Sequence, residues 1–312
     1  MTNENFPDHL EQEQPAIDNQ PFIDRHSIHP LIFAFGSLCL VFILYQVLGG
    51  ILTFILVGAT SVTRENVSVM RWLTLSGQLC FILIPTLLIT RLFTNRLREV
   101  FPFRVPGLLE SSLALLALFS LQRVMEAYMY FQEQIPMPDL IQKIVEPMRK
   151  MFEEVMKALL RADSPLELLT VILVVAIVPS VIEEFLFRGL IQKVFERLMS
   201  PIVSAVLAGT IFGLYHLNFF EIVPLVCLGV FFGLLRYRSQ SLLLPIAAHF
   251  FNNLMAVLAS FYGLQDENLL AATQSSVNIP TILFELVIFS GLFCVVFIAY
   301  LRLTHHIARG IR

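Results

Sequence analysis

Residues 168–189 read LLTVILVVAIVPSVIEEFLFRG. Fifteen apolar or small residues run without Asp, Glu, Lys or Arg and end directly on Glu183-Glu184, with Arg188 one turn further on. A run of this kind is either a buried core helix or part of a membrane span, because a span needs about 20 mainly apolar residues. Composition decides between them. Of 312 residues, 56% are hydrophobic and 14% charged, where soluble proteins carry about 25% charged. No soluble core could hide that much apolar surface. A net charge of -3 gives no basic field for nucleic acid, and four cysteines without paired spacing make no disulfide scaffold.

Working outward, charge-free or nearly charge-free stretches recur at 31–63, 72–90, 105–122, 168–182, 198–220, 222–235, 239–265 and 281–301. Glu110 interrupts the third, Glu285 lies near the start of the last, and the sixth is short. The fold expected is an all-α polytopic membrane bundle of about eight transmembrane helices. Arg91, Arg96, Arg98 and Arg104 fall between spans two and three, and Lys193 and Arg197 between four and five. Arg236 and Arg238 fall between six and seven, and Arg302, Arg309 and Arg312 follow the last span. With eight spans these groups share one side, and the positive-inside rule makes that side cytoplasmic, both termini included. The loops at 217–221 and 266–280 carry no Lys or Arg. The acidic, proline-punctuated residues 1–30 read as an unstructured cytoplasmic tail. Residues 31–312 form the transmembrane domain. Within it, 123–165 mixes Met, Phe, Tyr and Leu with both charge signs, as amphipathic helices on the extracytoplasmic bilayer surface do.

Ionisable groups inside spans are costly and call for a reason. Glu184 and Arg188 are one helical turn apart and can neutralise each other. Glu183 is rotated about 100° away and is left as a carboxylate free for general-base work. Alone, the pair reads more simply as a charge cluster at a helix end. Two histidines also fall within spans: His216, in the fifth, and His249, in the seventh, with Asn253 one turn beyond it. A single intramembrane histidine is often an interhelical hydrogen bond; two of them with a Glu-Glu pair, on three spans, form a pattern. Spans four and five make a hairpin turning near Ser200-Pro201, so at about 1.5 Å per residue Glu183 and His216 are level. The amphipathic stretch 192–199 is expected to project into the cytoplasm, which puts the three groups in the cytoplasmic half of the bilayer.

Glu183-Glu184-x-x-x-Arg188, Phe212-x-x-x-His216 and His249-x-x-x-Asn253 resemble, in this order, the three motifs of the CAAX prenyl protease and bacteriocin-processing (CPBP, or Abi) family of intramembrane proteases. The likeness covers a core of 166–262. It implies an eight-helix bundle that hydrolyses peptide bonds of membrane-associated proteins or peptides, in a bacterial cytoplasmic membrane. It also implies that Glu183 and His216 activate water, that His249 and Asn253 stabilise the oxyanion, and that Glu184 and Arg188 support them. The chemistry is self-consistent, since amide hydrolysis needs a base for water and donors for the oxyanion. The chain has no H-E-x-x-H and no G-x-S-x-G.

Three alternatives stand beside this reading. A proton-coupled carrier also uses membrane carboxylates and histidines, but its polar groups commonly recur in a matching second half; here they are confined to spans four to seven. A non-catalytic binding or immunity protein has little use for Glu183, His216, His249 and Asn253 together. Glu183, His216 and His249 could instead hold a catalytic zinc. Metal-binding histidines have a carboxylate or carbonyl on the other ring nitrogen. The flanking residues here are mainly apolar and Glu184 is committed to Arg188, so the sequence favours a glutamate-dependent mechanism without a metal cofactor.

Overall fold

A computed structural model describes residues 20–58, 66–264 and 278–309. Seven helices there are long and apolar enough to cross a bilayer, interleaved with two others. In chain order they are α1 (Pro30–Val57), α2 (Val67–Phe93), α3 (Leu108–Glu133), α4 (Asp139–Leu160), α5 (Pro165–Phe195), α6 (Pro201–Tyr215), α7 (Ile222–Ser239), α8 (Leu243–Phe261) and α9 (Ile279–Leu303). The protein is an all-helical polytopic bundle. Eight of these helices are the apolar ones expected, but α6 has 15 residues, about 22 Å of helix against a hydrocarbon core of about 30 Å. It stops because Leu217 turns left-handed (φ 53°) and the Asn218 side chain accepts from the Phe220 amide, so the chain reverses into α7 before the full span is crossed.

The helix of the third span outruns its apolar stretch. α3 runs on through Arg123 to Glu133, because Arg123 donates to Glu285 of α9 at 2.8 Å and each neutralises the other between the two helices. Glu110 lies in the first turn of α3, where it pairs with Arg104 and accepts from the Gly107 amide at 3.1 Å. Within 123–165 the amphipathic helix is α4. Arg71 of α2 holds its C-terminal end by donating to the carbonyls of Ala158, Leu159 and Arg161, the oxygens a helix leaves unpaired there.

Residues 1–19, most of the expected tail, lie outside the described residues, as do 59–65, 265–277 and 310–312. From Phe22 the chain is docked: Ile23 is buried in the core and Asp24 pairs with Arg197 at 2.7 Å. The four basic positions do gather at one end of the bundle. Arg197 donates to the Phe93 carbonyl, Arg104 to that of Ser239, and Arg238 to the Thr304 hydroxyl. The stretch after Ile191 does not project as expected, since Gln192, Val194 and Phe195 are fully buried and Gln192 donates to the Gly233 carbonyl.

Two large apolar clusters fill most of the bundle, with a smaller one at Leu160, Val171 and Val257. One large cluster is built on α1, α2, α5 and α6, the other on α3, α7, α8 and α9. The seam between them is the contact of α6 with α7, made through Gly209 and Gly213 against Gly229 and Gly233. A Cβ at Gly213 would lie 2.7 Å from the Val226 nitrogen and one at Gly233 2.9 Å from the Ala205 carbonyl; at Gly209 and Gly229 the approach is closer still. Small residues four apart let membrane helices meet backbone to backbone. Gly229→Ala is therefore expected to destabilise the protein by about 1–3 kcal/mol, the usual cost of overpacking. Gly291→Ala, where nothing lies within 4 Å, should not. Reversible unfolding in bicelles would read both.

Candidate active site

Glu183 lies past the middle of α5, in a helix whose turns are widened at Ile172–Ile177 and again at Phe185–Ile191. Such π turns interrupt regular α-helix and are frequent at functional sites. The first precedes Pro179, which has no N–H to give the Val175 carbonyl one turn back. Asn253 of α8 supplies a donor instead, its Nδ2 lying 3.2 Å from that oxygen. In the second, Gly189 packs against Phe101, whose ring a Cβ there would overlap.

The Glu184–Arg188 pair forms as its spacing predicts, at 2.8 Å with both side chains fully buried. Further hydrogen bonds offset part of the cost of burying such a pair, although Glu184 Oε2 and Arg188 Nε make none to the described residues. Arg188 donates as well to the Gly229 carbonyl at 2.9 Å, and its guanidinium lies 4.4 Å and 5.4 Å from the rings of Phe212 and Phe232. Those rings come from the two different clusters, so Arg188 bridges the seam.

His216 caps the C-terminal end of α6, with Nδ1 2.8 Å from the Phe212 carbonyl. His249 stacks on Phe232, ring centroids 5.1 Å apart, with Nδ1 3.0 Å from Glu184 Oε1. A carbonyl and a carboxylate can only accept, so each Nδ1 carries the hydrogen and each Nε2 is turned to the site. Both Nε2 atoms face Glu183 Oε2, from 3.7 Å for His216 and 3.9 Å for His249. That oxygen makes no hydrogen bond to the described residues. The structure thus gathers Glu183, Glu184, Arg188, His216 and His249 from α5, α6 and α8. Asn253 follows one turn after His249, its amide nitrogen held on α5 and its oxygen accepting from Asn252.

One step of the sequence reading fails here. Glu184 serves Arg188 and His249 together, and His216 finds its carbonyl on its own helix, so both histidines do have partners on the second ring nitrogen.

The sequence reading also passed over several neighbours. Tyr45 of α1 lies near Gln78 of α2 and within electrostatic reach of Glu183, and Gln78 is a buried amide in an apolar run. Glu221, in the turn after His216, has its carboxyl pushed above the usual range by the protein around it, while His216 draws it down. The glycine pairs at 209/213 and 229/233 were visible as spacing; Tyr45 and Gln78 carried no motif.

Comparison with curated proteins and with solved structures gives no match. The family model described as type II CAAX prenyl endopeptidase Rce1-like matches residues 165–255, the segment that begins with α5 and extends just past Asn253. Over those residues the chain is similar to the Rce1-like type II CAAX prenyl endopeptidases, the likeness that the order of its three motifs led one to expect.

Proposed function

We propose that the protein is a glutamate-dependent intramembrane endopeptidase that cleaves membrane-associated proteins or peptides. The observation that carries this reading is the convergence of Glu183 Oε2 with two imidazole Nε2 atoms from different helices. Gaps of 3.7 and 3.9 Å are too long for direct hydrogen bonds but suit one water touching all three groups at about 2.8 Å. Glu183 takes a proton from that water as its oxygen attacks the peptide carbonyl, and His216 orients it. The carbonyl becomes an oxyanion facing His249 Nε2–H and the second N–H of Asn253. The proton held by Glu183 then passes to the leaving amine as the C–N bond breaks. Charge supports this division of roles. Glu183, Glu184 and Arg188 sum to one negative charge in an apolar setting, and a single imidazolium proton brings the site to neutrality, giving His249 the hydrogen it needs as a donor. The same reading puts the basic end of the bundle in the cytoplasm.

A zinc-dependent variant of this reading is favoured by one feature, the acceptors on both Nδ1 atoms, which are what zinc-binding histidines have. Glu183, His216 and His249 would be its ligands and would supply a polarised water. Tetrahedral zinc wants donor atoms about 3.3 Å apart, closer than the separations here, and no three His, Cys, Asp or Glu among the described residues are grouped to hold a metal.

Protein purified into nanodiscs is expected to cleave a farnesylated C-terminal peptide or an unlipidated transmembrane peptide, and to keep its rate after chelation. Absence of cleavage of both would overturn the endopeptidase reading. Loss on chelation with restoration by zinc alone would replace the glutamate mechanism with the metal one.

A further inference from the structure

We propose that the basic end of the bundle holds a binding site for a phosphate-bearing anion, the headgroup of an anionic phospholipid. A cavity of about 410 Å³ opens between the ends of α7 and α9, lined by Arg238, Ile298, Leu301, Arg302, His305 and His306. Two arginines and two histidines are among the residues that line it, and no Asp or Glu among the described residues does. Arg238 is fixed in place, its Nε donating to the Thr304 hydroxyl at 3.1 Å and its Nη2 to the Leu301 carbonyl. Thr304 is itself buried and donates to the Tyr300 carbonyl. An ordered guanidinium loses little entropy on taking an anion.

The rest of the lining fits the other half of a lipid. Ile298 and Arg302 are one turn apart on α9. Ile298 and Val295 belong to an exposed apolar face of that helix, the face a spanning helix gives to acyl chains. The ligand would pass from apolar contact at Ile298 to cations at Arg302 and Arg238, in the order in which a phospholipid passes from chain to phosphate. Basic pockets between helix ends on the cytoplasmic side are suited to such headgroups. The site is separate from Glu183 and its partners, and its occupancy does not depend on the protease reading.

The test is native mass spectrometry of the full chain in non-ionic detergent, titrated with phosphatidylglycerol, phosphatidylcholine and inorganic phosphate. Phosphatidylglycerol is expected to fill a first, saturable site ahead of phosphatidylcholine. Arg302→Gln should weaken that step about fivefold, the effect of one surface cation. Arg98→Gln, an exposed arginine at the same end but outside the cavity, should leave it unchanged. Both side chains are exposed, and unchanged circular dichroism would verify folding. Millimolar inorganic phosphate displacing the lipid would assign the site to phosphate itself and overturn the lipid as its source. Equal retention of the two lipids, no effect of Arg302→Gln, or an equal loss in Arg98→Gln would overturn the site.

Discussion

Glu183→Gln is expected to slow peptide cleavage by roughly 10³–10⁴-fold, the upper part of the range for loss of a general base, while leaving the fold intact. The second half of that expectation comes from how Glu183 is held. Its Oε2 has no hydrogen-bond partner among the described residues, its side chain keeps 19% exposure, and an amide has the same shape. The substitution therefore strands no buried charge. His216→Ala should fall as steeply if the imidazole orients the same water. Asn253→Ala should lose less, about 10²–10³-fold, the scale of a single oxyanion donor. Single-turnover cleavage in nanodiscs, with melting profiles of each variant, would measure both quantities. Turnover of Glu183→Gln within tenfold of the unaltered protein would remove Glu183 from the chemistry.

How far the site could be read from sequence depends on the range of each contact. Glu184 and Arg188 are four residues apart on one helix, so their pairing follows from the helical period alone. The levelling of Glu183 with His216 follows from residue counts on either side of Ser200-Pro201, which the structure keeps as cap and first residue of α6. Local geometry sufficed for these. It failed where a charge finds its partner on a distant helix. Arg123 looked like the end of a span until Glu285 neutralised it. Glu184 looked spent on Arg188, yet its Oε1 also receives His249 from a helix whose approach the sequence does not specify. The short α6 is a case of the same kind. Hydropathy continues to Phe220, but the left-handed Leu217 and the Asn218 side chain turn the chain earlier. This early turn puts His216 at a helix end, where its ring faces Glu183 from beyond the last turn. Tyr45 and Gln78 were not legible because a single polar residue in an apolar run has no period to betray its facing.

Arg188→Ala is expected to cost about 3–5 kcal/mol of stability, the penalty for removing one partner of a buried ion pair. Against the 5–15 kcal/mol typical of whole proteins, that is a large share. The physical reason is what remains behind. Glu184 would stay in a fully buried position with Oε2 unpaired and Oε1 held only by His249. The Gly229 carbonyl would lose its side-chain donor, and the space between Phe212 and Phe232 would empty. Arg188→Lys should recover only part of the loss, because a point charge cannot reach Glu184 and Gly229 with the geometry of a planar fork. The double variant Glu184→Gln with Arg188→Met separates charge from packing. Removing both ions and filling the volume should bring stability to within about 2 kcal/mol of the unaltered protein, as replacements of whole buried pairs commonly do. Its cleavage rate should stay low, since His249 Nδ1 would then face a neutral amide in place of the carboxylate that orients its ring. Equilibrium unfolding in bicelles beside single-turnover cleavage would resolve the two. If Arg188→Ala lay within 1 kcal/mol of the unaltered protein, the buried pair could not be what holds the seam between the two halves of the core. If instead the double variant regained both stability and rate, the carboxylate on His249 would have no part in the reaction, and the pair would be structural only.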